Sequence, residues 1–153
     1  KISNNYLFGG QVNLRIRNVD DSIIENNFLG FNWSSSNCHG GNFTINAAGG
    51  VCNNIIVKNN TFKDSQVMVL DFHRTSSVNW KIFNNLVIGG DASIYNAGDT
   101  GSSDYDVMKN LHVYNNTHIG VECTGSGAIF VGKTTDPVAN RSFFYNNLFL
   151  FYL

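Results

Sequence analysis

The stretch NNIIVKNNTFKDS, residues 53–65, places an Asn-Asn pair in the middle of a hydrophobic alternation. The stretches WKIFNNLVIGG, residues 80–90, and LHVYNNTHIG, residues 111–120, have the same pattern. Such pairs begin at Asn4, Asn26, Asn59, Asn84, Asn115 and Asn146, at steps of 22, 33, 25, 31 and 31 residues. Recurrence at intervals of roughly 20 to 50 residues is typical of solenoid proteins, in which each repeat stacks on the next. The chain is therefore predicted to be a repeat protein.

The residues before each Asn pair predict a β-strand. Apolar side chains alternate there with other residues, and successive side chains of a strand point to opposite faces. The predicted inward residues are Ile55, Val57, Trp80, Ile82, Leu111 and Val113, and the predicted outward residues are Lys58, Phe83 and Tyr114. The first Asn of each pair is expected to continue the inward series. A second short apolar run follows, so the chain is predicted to turn a sharp corner at the pair, and Asn tolerates the left-handed backbone of such a corner.

Stacking of the repeats gives the recurring Asn a structural role. If the strands stack at the parallel spacing of about 4.8 Å, equivalent asparagines lie above one another, and their amides donate and accept hydrogen bonds along the column. A buried amide is tolerated when it is bonded in this way. The glycosylation sequons at Asn59 and Asn115 belong to this predicted ladder and are expected to be inaccessible. Those at Asn32, Asn42 and Asn140 lie in predicted loops, where glycosylation is feasible in a secreted eukaryotic protein.

A third apolar run completes each repeat, beginning at residues 11, 42, 66, 92 and 127. No segment has an apolar stripe at helical spacing, and glycine is abundant, which favours strands joined by tight corners. Three short strands per turn over about five turns predict an all-β fold, a right-handed single-stranded parallel β-helix with an internal Asn ladder. Residues 1–153 form one β-helix domain in this prediction, and the domain can be a segment of a longer solenoid.

The segments IIVKNNTF, WKIFNNLV, LHVYNNTH and SFFYNNLF carry a family resemblance. Their pattern of alternating apolar residues before Asn-Asn resembles the repeat of the pectate-lyase-like superfamily, which has the pectin-lyase fold. The resemblance covers nearly the whole chain. In that superfamily the substrate usually lies along one parallel sheet and the loops beside it. The resemblance therefore implies an extracellular or cell-surface protein that acts on or binds carbohydrate.

The third strand of each repeat supplies the candidate site residues. In QVMVLDFHR, residues 66–74, the alternation places Asp71 and His73 outward, and Arg74 begins the next loop. Lys133 is added to this face if Ala128 and Phe130 point inward. By the same alternation the outward residues of neighbouring repeats are Arg15, Arg17, Thr44, Asn46, Ser93 and Tyr95. Of these, Arg15, Asn46 and Tyr95 complete the predicted face, with Arg17 along its border.

These residue types suit an acidic polysaccharide. Arg and Lys pair with carboxylate or sulfate, and a Tyr ring stacks on a sugar. A lyase needs a base for the proton beside the uronate carboxyl group and a cation that neutralises that carboxylate. The candidate catalytic residues for lyase-type cleavage are Asp71, His73, Arg74 and Lys133, and the candidate substrate-binding residues are Arg15, Arg17, Asn46 and Tyr95.

Glycoside hydrolysis would instead require two carboxyl groups facing each other across the bond. Asp71 with Asp91 is one such pair, and the acids of residues 96–106 are further candidates. The paired-aspartate motif of the hydrolase branch of the superfamily is missing from this sequence. If the chain is an enzyme, a polysaccharide lyase is therefore favoured over a glycoside hydrolase.

A non-catalytic structural or adhesive β-helix is the alternative function, in which the same residues decorate a flat face. The sequence contains no capping helix, so either the chain is a segment of a larger β-helix or its terminal coils are covered by other copies. End-to-end stacking of copies would build a filament. The oxygen-rich loop at 96–106 is a weak candidate for calcium. Its acidic residues, which lack a regular ligand spacing, are Asp99, Asp104 and Asp106.

Composition limits the other classes of partner. The formal net charge of the 153 residues is −1, which offers no electrostatic argument for nucleic acid or a membrane surface. No apolar run is long enough to span a bilayer, so membrane insertion is not expected. The cysteines Cys38, Cys52 and Cys123 lack metal-binding spacing, although Cys38 and Cys52 could bridge a loop. The partner that the family resemblance implies is a polysaccharide.

Overall fold

The computed structural model describes residues 1–10, 12–32, 41–45, 51–65, 68–71, 77–89, 92–96, 109–120, 129–131 and 142–150. Within these ranges the chain forms 17 short strands and no helix. The strands pair in parallel in three sheets. None of the described residues belongs to a helix able to cross a membrane.

Each sheet takes every third strand of the chain, in chain order. Sheet A contains β1 (Ile2–Ser3), β4 (Ile23–Glu25), β7 (Ile56–Lys58), β10 (Val78–Phe83), β13 (Lys109–Tyr114) and β16 (Ser142–Tyr145). Sheet B contains β2 (Tyr6–Phe8), β5 (Phe28–Asn32), β8 (Thr61–Ser65), β11 (Leu86–Ile88), β14 (Thr117–Ile119) and β17 (Leu148–Leu150). Sheet C contains β3 (Val12–Ile16), β6 (Gly41–Ile45), β9 (Met68–Asp71), β12 (Ala92–Asn96) and β15 (Ile129–Val131).

The core consists of the rows of side chains that the sheets turn inward. Trp80 is the largest fully buried side chain, and its indole N–H donates to the carbonyl of Cys52 at 2.7 Å. The ring therefore packs in the apolar core while its polar N–H group is hydrogen-bonded. The six residues predicted to face inward before the Asn pairs are all 0% exposed, which confirms the period-two interpretation: Ile55, Val57, Trp80, Ile82, Leu111 and Val113. The predicted outward positions Lys58, Phe83 and Tyr114 are level with one another on sheet A.

The Asn pairs form the corners between sheets A and B, but the first Asn does not face inward as predicted. The first Asn of every pair is exposed and has a left-handed φ between 54° and 59°. The second Asn carries the ladder, and Asn27, Asn60, Asn85 and Asn116 are at most 3% exposed. Alternation of side chains holds for extended backbone, and a left-handed residue interrupts it. The expectation that Asn59 and Asn115 are inaccessible is therefore wrong, because both are exposed first members.

The ladder bonds consecutive repeats to each other. The Nδ2 group of Asn60 donates to Oδ1 of Asn85 at 3.0 Å, and Nδ2 of Asn85 donates to Oδ1 of Asn116 at 3.0 Å. The same Oδ1 atoms accept from the backbone N–H groups of Asn60 and Asn85 at 2.9 and 3.0 Å. The column continues from Asn5 through Asn27 at one end and to Asn147 at the other. Each inward amide is thus bonded along the stack, as buried polar groups require.

Candidate functional site

The strand register of sheet C brings part of the predicted binding face into one row. Arg15 is level with Thr44, Thr44 with Asp71, and Asp71 with Tyr95. Arg15 is exposed on the outer face of β3, next to the buried Ile16. Because parallel strands lie about 4.8 Å apart, this row crosses the strands at regular short steps. Arg15, Asp71 and Tyr95 are therefore level with one another in the backbone register, and their role as a binding face stays a prediction.

Two details of the predicted face differ from the register. Thr44, rather than Asn46, is level with Arg15 and Asp71. Phe130 is level with Tyr95 in the same row, whereas the placement of Lys133 assumed that Phe130 alternates inward. The row at the level of Arg15 is thus Arg15, Thr44, Asp71, Tyr95 and Phe130.

Several predicted residues lie outside the described residues. Arg17 is described and exposed, two positions beyond Arg15. Of the candidate catalytic residues, His73, Arg74 and Lys133 lie outside the described residues, and so does the predicted binding residue Asn46. The hydrolase candidate Asp91 and the calcium candidates Asp99, Asp104 and Asp106 also lie outside them. Their roles therefore remain predictions.

The long connections of the chain all adjoin sheet C. The corner between sheets A and B is always a two-residue Asn pair, as at Asn84 and Asn85 between β10 and β11. By contrast, residues 46–55 follow β6, residues 97–108 follow β12 and residues 132–141 follow β15. Binding residues occur disproportionately on loops that a regular scaffold positions. The distribution of connection lengths thus distinguishes sheet C from the other two sheets.

The outer face of sheet A carries an ionic cluster and an aromatic stack that the sequence reasoning did not treat as a site. Glu25 accepts from Lys1 at 2.5 Å and from Lys58 at 3.1 Å, and these two hydrogen bonds hold the pKa of Glu25 below its ordinary value. Farther along the same row, Phe83 stacks on Tyr114 at 4.9 Å and Tyr114 on Tyr145 at 5.0 Å between ring centroids. Burial within this stack raises the pKa of the Tyr114 hydroxyl. The row is therefore occupied by contacts within the protein.

A second amide ladder runs along the corner that precedes sheet A. The Nδ2 group of Asn54 donates to Oδ1 of Asp21, that of Asn79 to Asn54, and that of Asn110 to Asn79, each at 2.9 Å. All four residues are exposed and have left-handed φ values between 50° and 61°. At its last member, Oδ1 of Asn110 lies 2.8 Å from Nε2 of His112. The sequence signal was an Asn or Asp three residues before a buried residue of a sheet A strand. The search for Asn pairs overlooked it.

Two buried groups need a structural interpretation. His118 is level with Val87 in the inward row of sheet B and is 1% exposed, so it is a core residue. Its ring stacks on Phe149 with the centroids 4.4 Å apart, and burial lowers its pKa from 6.5 to about 4.

Cys52 is a free thiol with 0% exposure, and burial raises its pKa. Within the described part of the chain, no group of three or more His, Cys, Asp or Glu residues is placed to hold a metal ion.

Comparisons of the chain with models of protein families, with curated proteins and with solved structures found no match.

Proposed function

We propose that this chain is a right-handed, single-stranded parallel β-helix of about five coils that binds an acidic polysaccharide outside the cell or at its surface. The order of strands supports the fold, because the chain passes from sheet A to B to C and back to A. Connections between parallel strands of one sheet are right-handed in about 98% of cases. The column of Asn side chains links the successive coils.

The observation that carries the binding proposal is the row at the level of Arg15 on sheet C. Five residues are level with one another on consecutive strands, namely Arg15, Thr44, Asp71, Tyr95 and Phe130. In this proposal the other four residues share the outward face on which Arg15 is exposed. At about 4.8 Å per strand, the row is about 19 Å long and runs across the strands. A linear polymer aligned with this row would meet a new side chain at each coil. Guanidinium pairs with carboxylate or sulfate in two parallel hydrogen bonds, so an acidic sugar fits Arg15.

Cleavage is the second part of the proposal, and it concerns the end of β9. Asp71 is the last residue of that strand, and His73 and Arg74 follow it in the chain. In a lyase-type reaction, His73 or Asp71 would take the proton beside the uronate carboxyl group. Arg74 or Lys133 would neutralise the carboxylate while the leaving sugar oxygen departs and a double bond forms in the uronate.

A binding and turnover screen tests both parts. We expect the chain to bind one or more of pectate, alginate and chondroitin, and Arg15→Ala to weaken that binding about tenfold, because a charge-assisted hydrogen bond contributes about 1.5–3 kcal/mol. Affinity measured by calorimetry and absorbance of unsaturated uronate would be followed together.

The matched control is Lys81→Ala, which removes an exposed cation from the outer face of sheet A. Equal loss of affinity in both variants would contradict the sheet C site. Turnover that disappears in His73→Ala would establish the lyase reaction, and binding without turnover would limit the function to recognition. If no acidic polymer binds, the carbohydrate proposal is wrong.

A non-catalytic structural or adhesive β-helix is the second candidate. The observation that favours it is the composition of the two other outer faces in the described residues. Sheet A is occupied by its own aromatic stack and ion pairs, and sheet B exposes apolar residues. An exposed apolar face such as that of sheet B often marks a contact with another protein. Absence of any polysaccharide binding would favour this candidate.

A further inference from the structure

The outer face of sheet B is mostly apolar, interrupted by Thr61, Lys63 and Thr117. Its outward residues form two rows across the six strands, one from Tyr6 to Leu148 and one from Phe8 to Leu150. The aromatic members lie on β2 and β5, and Leu86, Ile88 and Ile119 continue the face on β11 and β14. Lys63 is the charged residue in these rows. Its ammonium lies 5.2 Å from the centre of the Phe31 ring and 3.8 Å from the Asp64 carboxylate.

Four aromatic rings at one end of this face form a cluster. Tyr6 stacks on Phe28 with centroids 4.4 Å apart, and the edge of Phe8 meets Tyr6 at 5.2 Å. The ring of Phe28 lies over the backbone of Gly30, where a Cβ atom would approach it to 2.8 Å. Phe31 completes the cluster, 6.2 Å from Phe28. Gly30 thus allows the rings to spread over the sheet as one apolar surface.

Phe31 is held in an unfavourable backbone conformation. Its φ is 53°, and a bulky residue at positive φ is an outlier that persists when the site has a use for the side chain. The corresponding corners at the ends of β2, β11 and β14 have glycine with positive φ at Gly9, Gly89 and Gly120. The equivalent position after Lys63 has Asp64 with φ 46°, so the chain places an exposed aromatic ring where three other repeats place glycine and one places aspartate. Packing within the monomer does not account for this choice, because 46% of Phe31 remains exposed.

We propose that the outer face of sheet B is the interface of a homodimer, in which two copies of this chain pack face to face about a two-fold axis. Taking about 200 Å² for an aromatic side chain, the exposed fractions of Tyr6 (61%), Phe8 (64%) and Phe31 (46%) amount to about 350 Å². A stable interface takes about 800 Å² from each partner. The three rings supply nearly half of that area, and the rest of the two rows extends it.

The arrangement of the face suits a two-fold axis. A two-fold interface brings each patch against its symmetry mate, so the two ends of the face must complement each other. We take the two copies to run in opposite directions along their stacks of strands. The aromatic end of one copy, at Tyr6 and Phe8, then covers the aliphatic end of the other, at Leu148 and Leu150, which are 51% and 48% exposed. Aromatic residues are enriched at the centres of interfaces, and charged residues are depleted there. Lys63 departs from this pattern, and its ammonium is paired with the Asp64 carboxylate.

The test is the mass of the chain in solution as a function of concentration, by sedimentation velocity and light scattering. We expect a dimer that dissociates on dilution. Phe31→Asn, which keeps a residue that tolerates positive φ, should raise the dissociation constant about tenfold or more. Phe8→Lys should abolish the dimer. The melting temperature of the Phe31→Asn monomer, measured at dilutions below dissociation, should stay within about 3 °C of the unaltered chain.

The matched control is Phe143→Asn, which removes a 39% exposed ring from the outer face of sheet A and should leave the dimer unchanged. A monomer at every concentration would overturn the proposal. A dimer that resists both Phe31→Asn and Phe8→Lys would overturn it as well, since association would then use another surface.

Discussion

Asn85→Ala is expected to lower the free energy of unfolding by about 4 kcal/mol. Asn85 is 3% exposed, and its amide bonds both neighbouring repeats. The substitution leaves the backbone N–H of Asn60 without its acceptor at 2.9 Å and the carbonyl of Val57 without its donor at 3.1 Å. Each buried polar group left unbonded costs about 1–3 kcal/mol, and a cavity is added. Denaturant unfolding measures the difference.

The control for this prediction is the preceding residue of the same pair. Asn84 is exposed and has φ 54°, so Asn84→Gly keeps a backbone that glycine adopts freely. We expect Asn84→Gly to change the free energy of unfolding by less than about 1 kcal/mol. Similar losses in Asn84→Gly and Asn85→Ala would show that the corner, rather than the ladder, provides the stability.

Acidification from pH 6.5 to 4 is expected to remove about 3 kcal/mol of stability through His118 alone, at 1.36 kcal/mol per pKa unit. The folded-state pKa of His118 is lowered from 6.5 to about 4 by burial. Between these values the unfolded chain takes up a proton that the folded chain does not, so the free energy of unfolding falls as the pH falls. Below about pH 4 both states are protonated and the loss is complete. Urea unfolding at several pH values would measure this slope.

His118→Leu should remove this part of the pH dependence, because Leu fits an inward row that contains Phe62, Val87 and Phe149. His112→Leu is the control, since His112 lies on the outer face of sheet A beside Asn110. If the slope between pH 6.5 and 4 persists in His118→Leu, other groups cause it. Glu25, whose pKa is lowered by Lys1 and Lys58, contributes a further loss of stability only as the pH falls below 4.5.

Local patterns predicted much of the fold. Alternation alone identified the six fully buried residues before the Asn pairs and the outward row of Lys58, Phe83 and Tyr114. It failed at Asn59 and the equivalent residues, because a left-handed residue reverses the side-chain direction that alternation assumes. The same effect hid the exposed ladder from Asp21 to Asn110, where each member again has a positive φ.

The candidate site was harder to predict, since it depends on which residues are level across strands far apart in the chain. Alternation placed both Thr44 and Asn46 outward, and only the register shows that Thr44 is the one level with Arg15. The placement of Lys133 depended on an inward Phe130, which the register puts level with Tyr95. An error of one or two residues in the register changes which side chains share a row and which face they occupy. Connections of different length, such as residues 33–40 and 97–108, separate the strands and conceal this register.

The sequence by itself determined that the chain is all-β, where its corners lie and which side chains are buried before each corner. These properties depend on residues close together in the chain, namely apolar alternation with a period of two and Asn at left-handed positions. The tertiary structure alone decided which Asn carries the buried ladder, that Arg15, Thr44, Asp71 and Tyr95 share a row, and that Phe31 joins an exposed aromatic cluster. Each of these depends on stacking between repeats more than twenty residues apart, where hydrogen-bond register and ring packing, rather than local pattern, set the neighbours.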